Sequence, residues 1–169
     1  MNLYKKIIGI GGLPCTGKST LMKKLIIGDK IKKYKSLLLT DCGNYNILGH
    51  YKKKFGGTDV LCMNIQPIVC EYLLKTKKDV IFEGDRLFNG KFIEWIFKKG
   101  LNGTFIILNS KPEIISNRHI KRKDTQTEKW LKSRQTKIEN IKKKFNIIEL
   151  NNNTEDDLEN NYNYIKGLL

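Results

Sequence analysis

Residues 12–19 read Gly-Leu-Pro-Cys-Thr-Gly-Lys-Ser and satisfy the phosphate-loop pattern G-x-x-x-x-G-K-[ST]. Its glycines let the backbone turn tightly with N–H groups facing an anion, and the N-terminus of the following helix adds positive potential. In such a loop Lys18 contacts the β- and γ-phosphates, and the Ser19 hydroxyl ligates Mg²⁺. The sequence therefore predicts ATP and Mg²⁺ as cofactors. The residues expected to bind the nucleotide are Gly12, Leu13, Pro14, Cys15, Thr16, Gly17, Lys18, Ser19 and Thr20.

A second charged cluster, Glu83, Asp85 and Arg86, directly follows an apolar run at 80–82. Phosphoryl transfer to a hydroxyl requires a carboxylate that orients or deprotonates the acceptor, and cations that stabilise the moving charge. Either carboxylate is a candidate for this base or for a water-mediated metal partner, and Arg86 is a candidate clamp for an acceptor phosphate. Gly84, between two acids after a buried strand, serves no packing need, which favours a catalytic cluster over a charged turn.

Two further acids are alternatives for the base. Asp41 ends a predicted strand at 36–40, and Asp59 lies in a glycine-rich loop. Catalytic groups of open α/β sheets collect at the carboxyl ends of the strands, so both acids are expected near the same crevice. Each of them is equally compatible with a solvated turn. The sequence therefore leaves the base open among these two acids, Glu83 and Asp85.

Arginines after the fourth predicted strand indicate a lid. Arg118 and Arg122 are four residues apart and share a helix face, and Arg134 lies on the next predicted helix. Small kinases close such a segment over the transferred phosphoryl group, which brings in positive charge and excludes water. We expect this lid at about residues 112–135, and a solvated basic helix is the alternative.

The charge of the chain is strongly positive, at +15 over 169 residues. Residues 151–169 hold one lysine against four acids, a net of −3, so the rest of the chain carries +18. Lysine clusters of this kind attract nucleic acid. A composition rich in Lys, Asn and Ile is also what an A/T-rich coding sequence produces, so the charge alone does not decide the partner.

The composition also argues against several classes of protein. No apolar run approaches the roughly 20 residues of a membrane span, and the four cysteines form no C-x-x-C pair. No N-K-x-D motif for guanine recognition occurs, which disfavours a GTPase. We therefore expect a cytoplasmic phosphotransferase with free thiols, without a membrane partner and without a metal site made only of protein ligands.

Alternating apolar runs and amphipathic segments predict one α/β domain over residues 1–169. The expected fold class is a single-domain P-loop kinase fold, with a five-stranded parallel sheet, helices on both faces and the basic helical lid. Residues 42–62 are predicted to be a loop or irregular hairpin. The predicted strands lie at 5–12, 36–40, 79–83, 104–109 and 147–150, and the predicted helices at 18–27, 65–75, 90–99, 112–122, 128–145 and 155–168.

From Gly11 to about Ile141 the chain resembles the phage 5-hydroxymethyl-deoxyuridine DNA kinases, which are related to the thymidylate and nucleoside monophosphate kinases. The phosphate loop alone is generic, whereas four further segments in the same order are more specific. The segments that carry the resemblance are GGLPCTGKSTLM (11–22), ILGHYKKKFGGTD (47–59), Gln66-Pro67, VIFEGDRLFN (80–89) and RHIKRKDTQTEKWLKSRQTKIENI (118–141).

The resemblance implies a kinase that uses ATP to phosphorylate the hydroxymethyl group of 5-hydroxymethyluracil in DNA, a step in viral DNA hypermodification in the host cytoplasm. It implies DNA as a partner and places Glu83, Asp85 and Arg86 at the reacting centre. Val60 departs from the family pattern, which often has a basic residue after the Thr-Asp pair, so the acceptor-side loop is the least supported part. The candidate substrate-binding residues are Asp59, Gln66, Arg86, Gln126 and Arg134.

Two other functions remain open at this point. A small-molecule nucleoside or nucleotide kinase would share the loop and the lid but would have a closed acceptor pocket. A nucleic-acid-binding NTPase would use hydrolysis to drive a conformational change, without transfer to an acceptor.

Overall fold

The computed structural model describes residues 5–28, 30–52, 56–123 and 126–169. Its strands are β1 (Lys6–Gly11), β2 (Ile31–Tyr34), β3 (Leu37–Asp41), β4 (Tyr45–Leu48), β5 (Asp79–Glu83), β6 (Asn102–Asn109) and β7 (Ile148–Asn151). They form one sheet in the order β2-β3-β4-β5-β1-β6-β7. The five strands β4, β5, β1, β6 and β7 run parallel to one another. β3 pairs antiparallel with β4, and β2 pairs antiparallel with β3.

All six predicted helices are present, with ends within two residues of the prediction. They are α1 (Lys18–Leu25), α2 (Gln66–Lys75), α3 (Gly90–Lys98), α4 (Pro112–Arg122), α5 (Glu128–Lys144) and α6 (Glu155–Leu168). Polar side chains fix three of the starts, because Asn89, Thr127 and Thr154 each accept a hydrogen bond from a backbone N–H in the first turn. A short 3₁₀ turn, Thr58–Val60, lies within the segment predicted to be loop.

The predicted α/β class is confirmed, but the predicted number of strands is wrong. The prediction lacks β2, which exposes its two central lysines and therefore shows no buried run. It also lacks β4, a four-residue strand between Gly43 and Gly49. The fifth parallel strand is β4. The prediction counted the segment at 36–40 among the parallel strands, but that segment forms β3, which runs antiparallel to β4.

Apolar side chains cover both faces of the parallel strands, as a sheet with helices on both sides requires. On one face, Phe82 and Phe92 pack edge to face with ring centroids 5.5 Å apart, in a cluster that includes residues of α2, α3 and α5. On the other face, Ile8 and Ile10 pack with residues of α1 and α6. α4 contributes no buried residue, so its position depends on polar contacts rather than on the core.

The order of the strands brings two predicted motifs together. β5 lies beside β1, and Ile10 is paired in register with Glu83. The carboxyl end of β5 therefore lies next to the start of the phosphate loop. Parallel strands present their carboxyl ends at one edge of the sheet, where open α/β folds bind their ligands.

The expectation that Asp41 lies in this crevice is wrong. Because β3 is antiparallel to β4, its carboxyl end is at the opposite edge of the sheet. There Asp41 forms ion pairs with Lys32 Nζ at 2.5 Å and with Lys78 Nζ at 2.7 Å. These pairs hold the pKa of Asp41 well below its usual range, which indicates a structural role.

Two expectations about the whole chain can be compared with the structure. The four cysteines are free thiols, as predicted. Within the described ranges, none of the helices has the length and apolar character that crossing a bilayer demands.

Candidate active site

The phosphate loop links β1 to α1 and is closed by its own hydrogen bonds. Lys18 Nζ donates to the carbonyl oxygens of Gly12 at 2.9 Å and Leu13 at 2.8 Å, and Thr16 Oγ1 donates to the Leu13 oxygen at 2.8 Å. Burial lowers the pKa of Lys18, while the charges of Glu83, Asp85 and Asp59 oppose that shift. The ammonium group is therefore held against the loop with carboxylates around it.

Ser19 connects this loop to the end of β5. Its Oγ donates a 2.8 Å hydrogen bond to Oε1 of Glu83, whose side chain is buried with only 5 % exposed. Burial raises the pKa of Glu83, and the charge of Lys18 and the hydrogen bonds from Ser19 and Tyr51 oppose this. A hydroxyl that donates a hydrogen bond to a carboxylate keeps the lone pairs of its oxygen available for a cation.

The donor set fits Mg²⁺ in the way that nucleotide kinases hold it. Mg²⁺ keeps several waters and is bound through one or two protein oxygens together with substrate phosphates. Ser19 and Glu83 supply such oxygens, and the described part of the chain contains no cluster of three His, Cys, Asp or Glu residues that would form an all-protein site.

Asp85 contacts α5. Its Oδ2 lies 3.1 Å from Arg134 Nη1, and its Oδ1 lies 3.6 Å from Lys137 Nζ, which also donates to the Asp85 carbonyl at 3.0 Å. The guanidinium of Arg134 also lies 4.8 Å from the ring centre of Trp130. Asp85 exposes 44 % of its side chain, whereas Glu83 is buried.

Gly84, between the two acids, has a packing reason that the sequence does not reveal. Its φ of 102° belongs to the left-handed region that favours glycine, and a β-carbon there would lie 2.7 Å from Thr58 Oγ1. The same Thr58 hydroxyl donates to the carbonyl of Glu83 at 2.8 Å. The argument that Gly84 has no packing need is therefore wrong, and the case for the cluster depends on its contacts instead.

Arg86 and Asp59 form the far side of this crevice. Arg86 Nη1 donates to the carbonyl of Leu61, which ties the residues after β5 to the end of the 3₁₀ turn. Partial burial raises the pKa of Asp59, and the charge of Arg86 counteracts this. The structure thus brings Glu83, Asp85, Asp59 and Arg86 into one neighbourhood, and it leaves Asp41 outside.

Both arginines of α4 contact the phosphate loop. Arg118 Nη1 donates to the carbonyl of Cys15 at 3.0 Å and to Ser110 Oγ at 3.1 Å, and its Nη2 donates to the carbonyl of Asn152 at 3.1 Å. Arg122 Nη1 lies 3.9 Å from the Cys15 sulfur. The predicted lid thus has two sides: α4 lies at the tip of the phosphate loop, and α5 lies at Asp85. Asp124 and Thr125, between these helices, lie outside the described residues.

A cavity of about 270 Å³ opens beside the phosphate loop, between α4 and the start of α6. Asn152, which sequence reasoning missed, builds one wall: it is buried, and its Nδ2 donates to the carbonyl of Thr16 at 2.7 Å. Gly17 adopts φ 91°, and a β-carbon there would lie 2.2 Å from Asn152 Nδ2. The lining residues are Cys15, Gly17, Thr20, Arg118, Lys121, Arg122, Asn152, Thr154, Glu155 and Leu158.

Sequence reasoning also missed Tyr51 and Thr58, which both contact Glu83. Tyr51 Oη donates to Glu83 Oε1 at 3.1 Å. Both residues belong to the resembling segment at 47–59, in which only Asp59 was singled out. Of the other substrate-binding candidates, Gln66 begins α2 and its Oε1 accepts from Asn89 Nδ2 at 3.4 Å, and Gln126 is exposed at the surface.

Comparisons with known proteins identify the family to which the chain is similar. A model of the family described as P-loop Nucleotide Kinase3 matches residues 3–154. Among solved structures, a gluconokinase from Sinorhizobium meliloti 1021 is similar over 99 % of this chain and 99 % of its own, with a TM-score of 0.48 and 12 % sequence identity. At that level the likeness says nothing about the substrate of this chain. None of the curated proteins compared with the chain matches it.

Proposed function

The chain belongs to the P-loop Nucleotide Kinase3 family, and we propose that it transfers the γ-phosphoryl group of ATP to the hydroxymethyl group of 5-hydroxymethyluracil in DNA. Membership of this family makes it a P-loop phosphotransferase. The observation that carries the proposed chemistry is the pair of carboxylates at the carboxyl end of β5. Glu83 is buried on the Ser19 side, and Asp85 is exposed on the opposite side, against the cations of α5.

On the donor side, Lys18 and the loop N–H groups would hold the phosphates of ATP, and Ser19 with Glu83 would hold Mg²⁺. When bound, Mg²⁺ neutralises charge on the β- and γ-phosphates. The cavity beside Asn152 and Arg118 adjoins the phosphate loop, and we assign it to the base and ribose of ATP. The other loop residues from Gly12 to Thr20 are assigned to the nucleotide on the same grounds.

On the acceptor side, Asp85 would accept the proton of the hydroxymethyl group. The hydroxymethyl oxygen then forms a bond to the γ-phosphorus, the bond between that phosphorus and the β,γ-bridging oxygen breaks, and ADP leaves. Arg134 and Lys137 lie close enough to Asp85 to stabilise negative charge that develops during transfer. Arg86 and Asp59, with Gln66 and Gln126, are the remaining candidates for acceptor contacts.

The proposal of DNA as the acceptor draws support from the resemblance at five segments and from the charge of the two lid helices. Residues 111–144 contain twelve Lys or Arg against four Asp or Glu. Most of these cations are exposed, on helices that flank the reacting centre. A polymer of phosphates favours such a surface, since each neutralised phosphate releases counterions.

A second candidate is a kinase for free nucleotides, which the description of the family favours. Salt dependence separates the two candidates. If DNA is the acceptor, phosphorylation of an oligonucleotide that contains hydroxymethyluracil falls steeply as KCl is raised, because counterion release drives binding. Efficient turnover of free nucleotides that KCl hardly changes would instead support the second candidate.

A further inference from the structure

Tyr51 and Thr58 both contact Glu83. Tyr51 Oη donates to Glu83 Oε1 at 3.1 Å, and Thr58 Oγ1 donates to the Glu83 carbonyl at 2.8 Å. Each of these two residues directly follows a member of the isolated antiparallel bridge between His50 and Gly57. Side chain and backbone of Glu83 are therefore both held by residues next to the same bridge.

Two hydroxyl groups converge on one oxygen of this carboxylate. Ser19 Oγ and Tyr51 Oη both donate to Oε1, at 2.8 Å and 3.1 Å. Among the described residues none donates a hydrogen bond to Oε2, so that oxygen is left for a water or another ligand. The Tyr51 bond restricts the rotation of the carboxylate, which would otherwise be set by Ser19 alone.

We infer that Tyr51 is a positioning residue for the magnesium site, acting through Glu83. This inference rests on the proposed binding of Mg²⁺–ATP at Ser19 and Glu83. With Tyr51 in place, Glu83 Oε1 accepts the hydrogen bond from Ser19 Oγ, which leaves the lone pairs of that hydroxyl oxygen for a cation. Partners that orient metal ligands in this way commonly contribute about 10- to 100-fold to metal affinity or activity.

The inference also connects the acceptor side to the metal side. Asp59, a candidate for acceptor contacts, directly follows Thr58, which donates to the Glu83 carbonyl. The ring of Tyr51 also lines a second cavity of about 240 Å³, together with Lys23, His50 and Lys52. Glu83 therefore contacts Ser19, the neighbour of Lys18, and Thr58, the neighbour of Asp59.

Tyr51→Phe tests the inference, since it removes the hydroxyl and keeps the ring. The affinity for a non-hydrolysable ATP analogue is measured by calorimetry, once with saturating Mg²⁺ and once with EDTA. We expect the affinity in EDTA to stay within about twofold of wild type, while the gain produced by Mg²⁺ falls about 10-fold. Tyr45→Phe is the matched control, because Tyr45 Oη donates to the carbonyl of Leu25 and does not contact Glu83.

Each other result has a distinct meaning. If Mg²⁺ raises the affinity of Tyr51→Phe for the ATP analogue as much as it does for wild type, the inference is overturned. An equal loss of affinity with Mg²⁺ and with EDTA would also overturn it, because that result indicates a general structural role. If the wild-type protein itself shows no gain from Mg²⁺, the proposed metal site fails, whatever the variant does. The melting temperatures of both variants show whether the fold is intact.

Discussion

Ser19 Oγ lies 2.8 Å from Glu83 Oε1, and this hydrogen bond joins the phosphate loop to the carboxyl end of β5. It separates the roles of two acids that are only two residues apart. Glu83 is buried and bonded to the Ser19 hydroxyl, whereas Asp85 is exposed and paired with Arg134. We therefore propose that Glu83 acts on the magnesium side and Asp85 on the acceptor side.

Lys18→Ala should abolish nearly all ATP turnover. The lysine is the cation held against the phosphate loop, and removing one preorganised donor of this kind costs about 10²- to 10³-fold in kcat. Steady-state kinetics measure the loss. Lys24→Ala is the control, since Lys24 is exposed on the same helix and pairs with Glu159. Turnover that survives in Lys18→Ala would refute the assignment of the loop.

Glu83→Gln should weaken the response to Mg²⁺ by about 10- to 100-fold, because the variant keeps the volume of the side chain and loses its charge. Nucleotide binding in EDTA should remain close to wild type. A titration of activity with Mg²⁺, together with binding measurements, separates these effects. Glu149 is an exposed acid on β7, so Glu149→Gln should change neither the response to Mg²⁺ nor nucleotide binding in EDTA. Normal Mg²⁺ dependence in Glu83→Gln would show that Glu83 has no role at the metal.

Asp85→Asn should remove transfer and leave the binding of ATP nearly intact. Loss of a general base costs about 10²- to 10⁴-fold in rate. Arg134→Gln provides the comparison, because it breaks the ion pair but keeps the carboxylate, and we expect a loss of about 10-fold. If Asp85 merely anchors α5, Asp85→Asn, Arg134→Gln and the double variant will lose the transfer rate to the same extent. Reduced nucleotide affinity in Asp85→Asn would point to a role at the metal or in folding.

Asp41→Asn should lower stability without changing kcat, because Asp41 lies at the opposite edge of the sheet. Its ion pairs with Lys32 and Lys78 depress its pKa in the folded state, so they stabilise the fold above the unfolded pKa of about 4. That contribution is lost as the pH falls through the lower, folded pKa. Urea unfolding should therefore show a wild-type advantage at neutral pH that shrinks in acid. If the difference in unfolding free energy between wild type and Asp41→Asn did not change with pH, the expected pH dependence would be contradicted.

The helices of this fold could be predicted from the sequence because their signals are local. Apolar periodicity and side chains such as Asn89 and Thr154 mark the helices and their starts within a few residues. The direction of β3 could not be predicted in this way, because it depends on pairing with the short strand β4. β2 lies at the edge of the sheet with exposed lysines, so it lacks the apolar run that identifies a buried strand.

The candidate site likewise has a part that could be predicted from the sequence and a part that could not. The phosphate loop is a contiguous motif, so its residues could be named from the sequence. The bond from Ser19 to Glu83 spans 64 positions, and the bond from Asn152 to Thr16 spans 136. Contacts at such separations follow from the order of the strands, which no local pattern encodes. For that reason Tyr51 and Asn152 emerged only from the structure.

The most direct test of the central claim is a transfer assay with γ-labelled ATP. The protein is incubated with normal DNA, with DNA that contains 5-hydroxymethyluracil, and with free nucleosides and nucleotides, and the label is followed into each acceptor. The account predicts label in the hydroxymethyluracil DNA, none in normal DNA, and little in the free compounds. Efficient labelling of a free nucleotide with none in either DNA would contradict it.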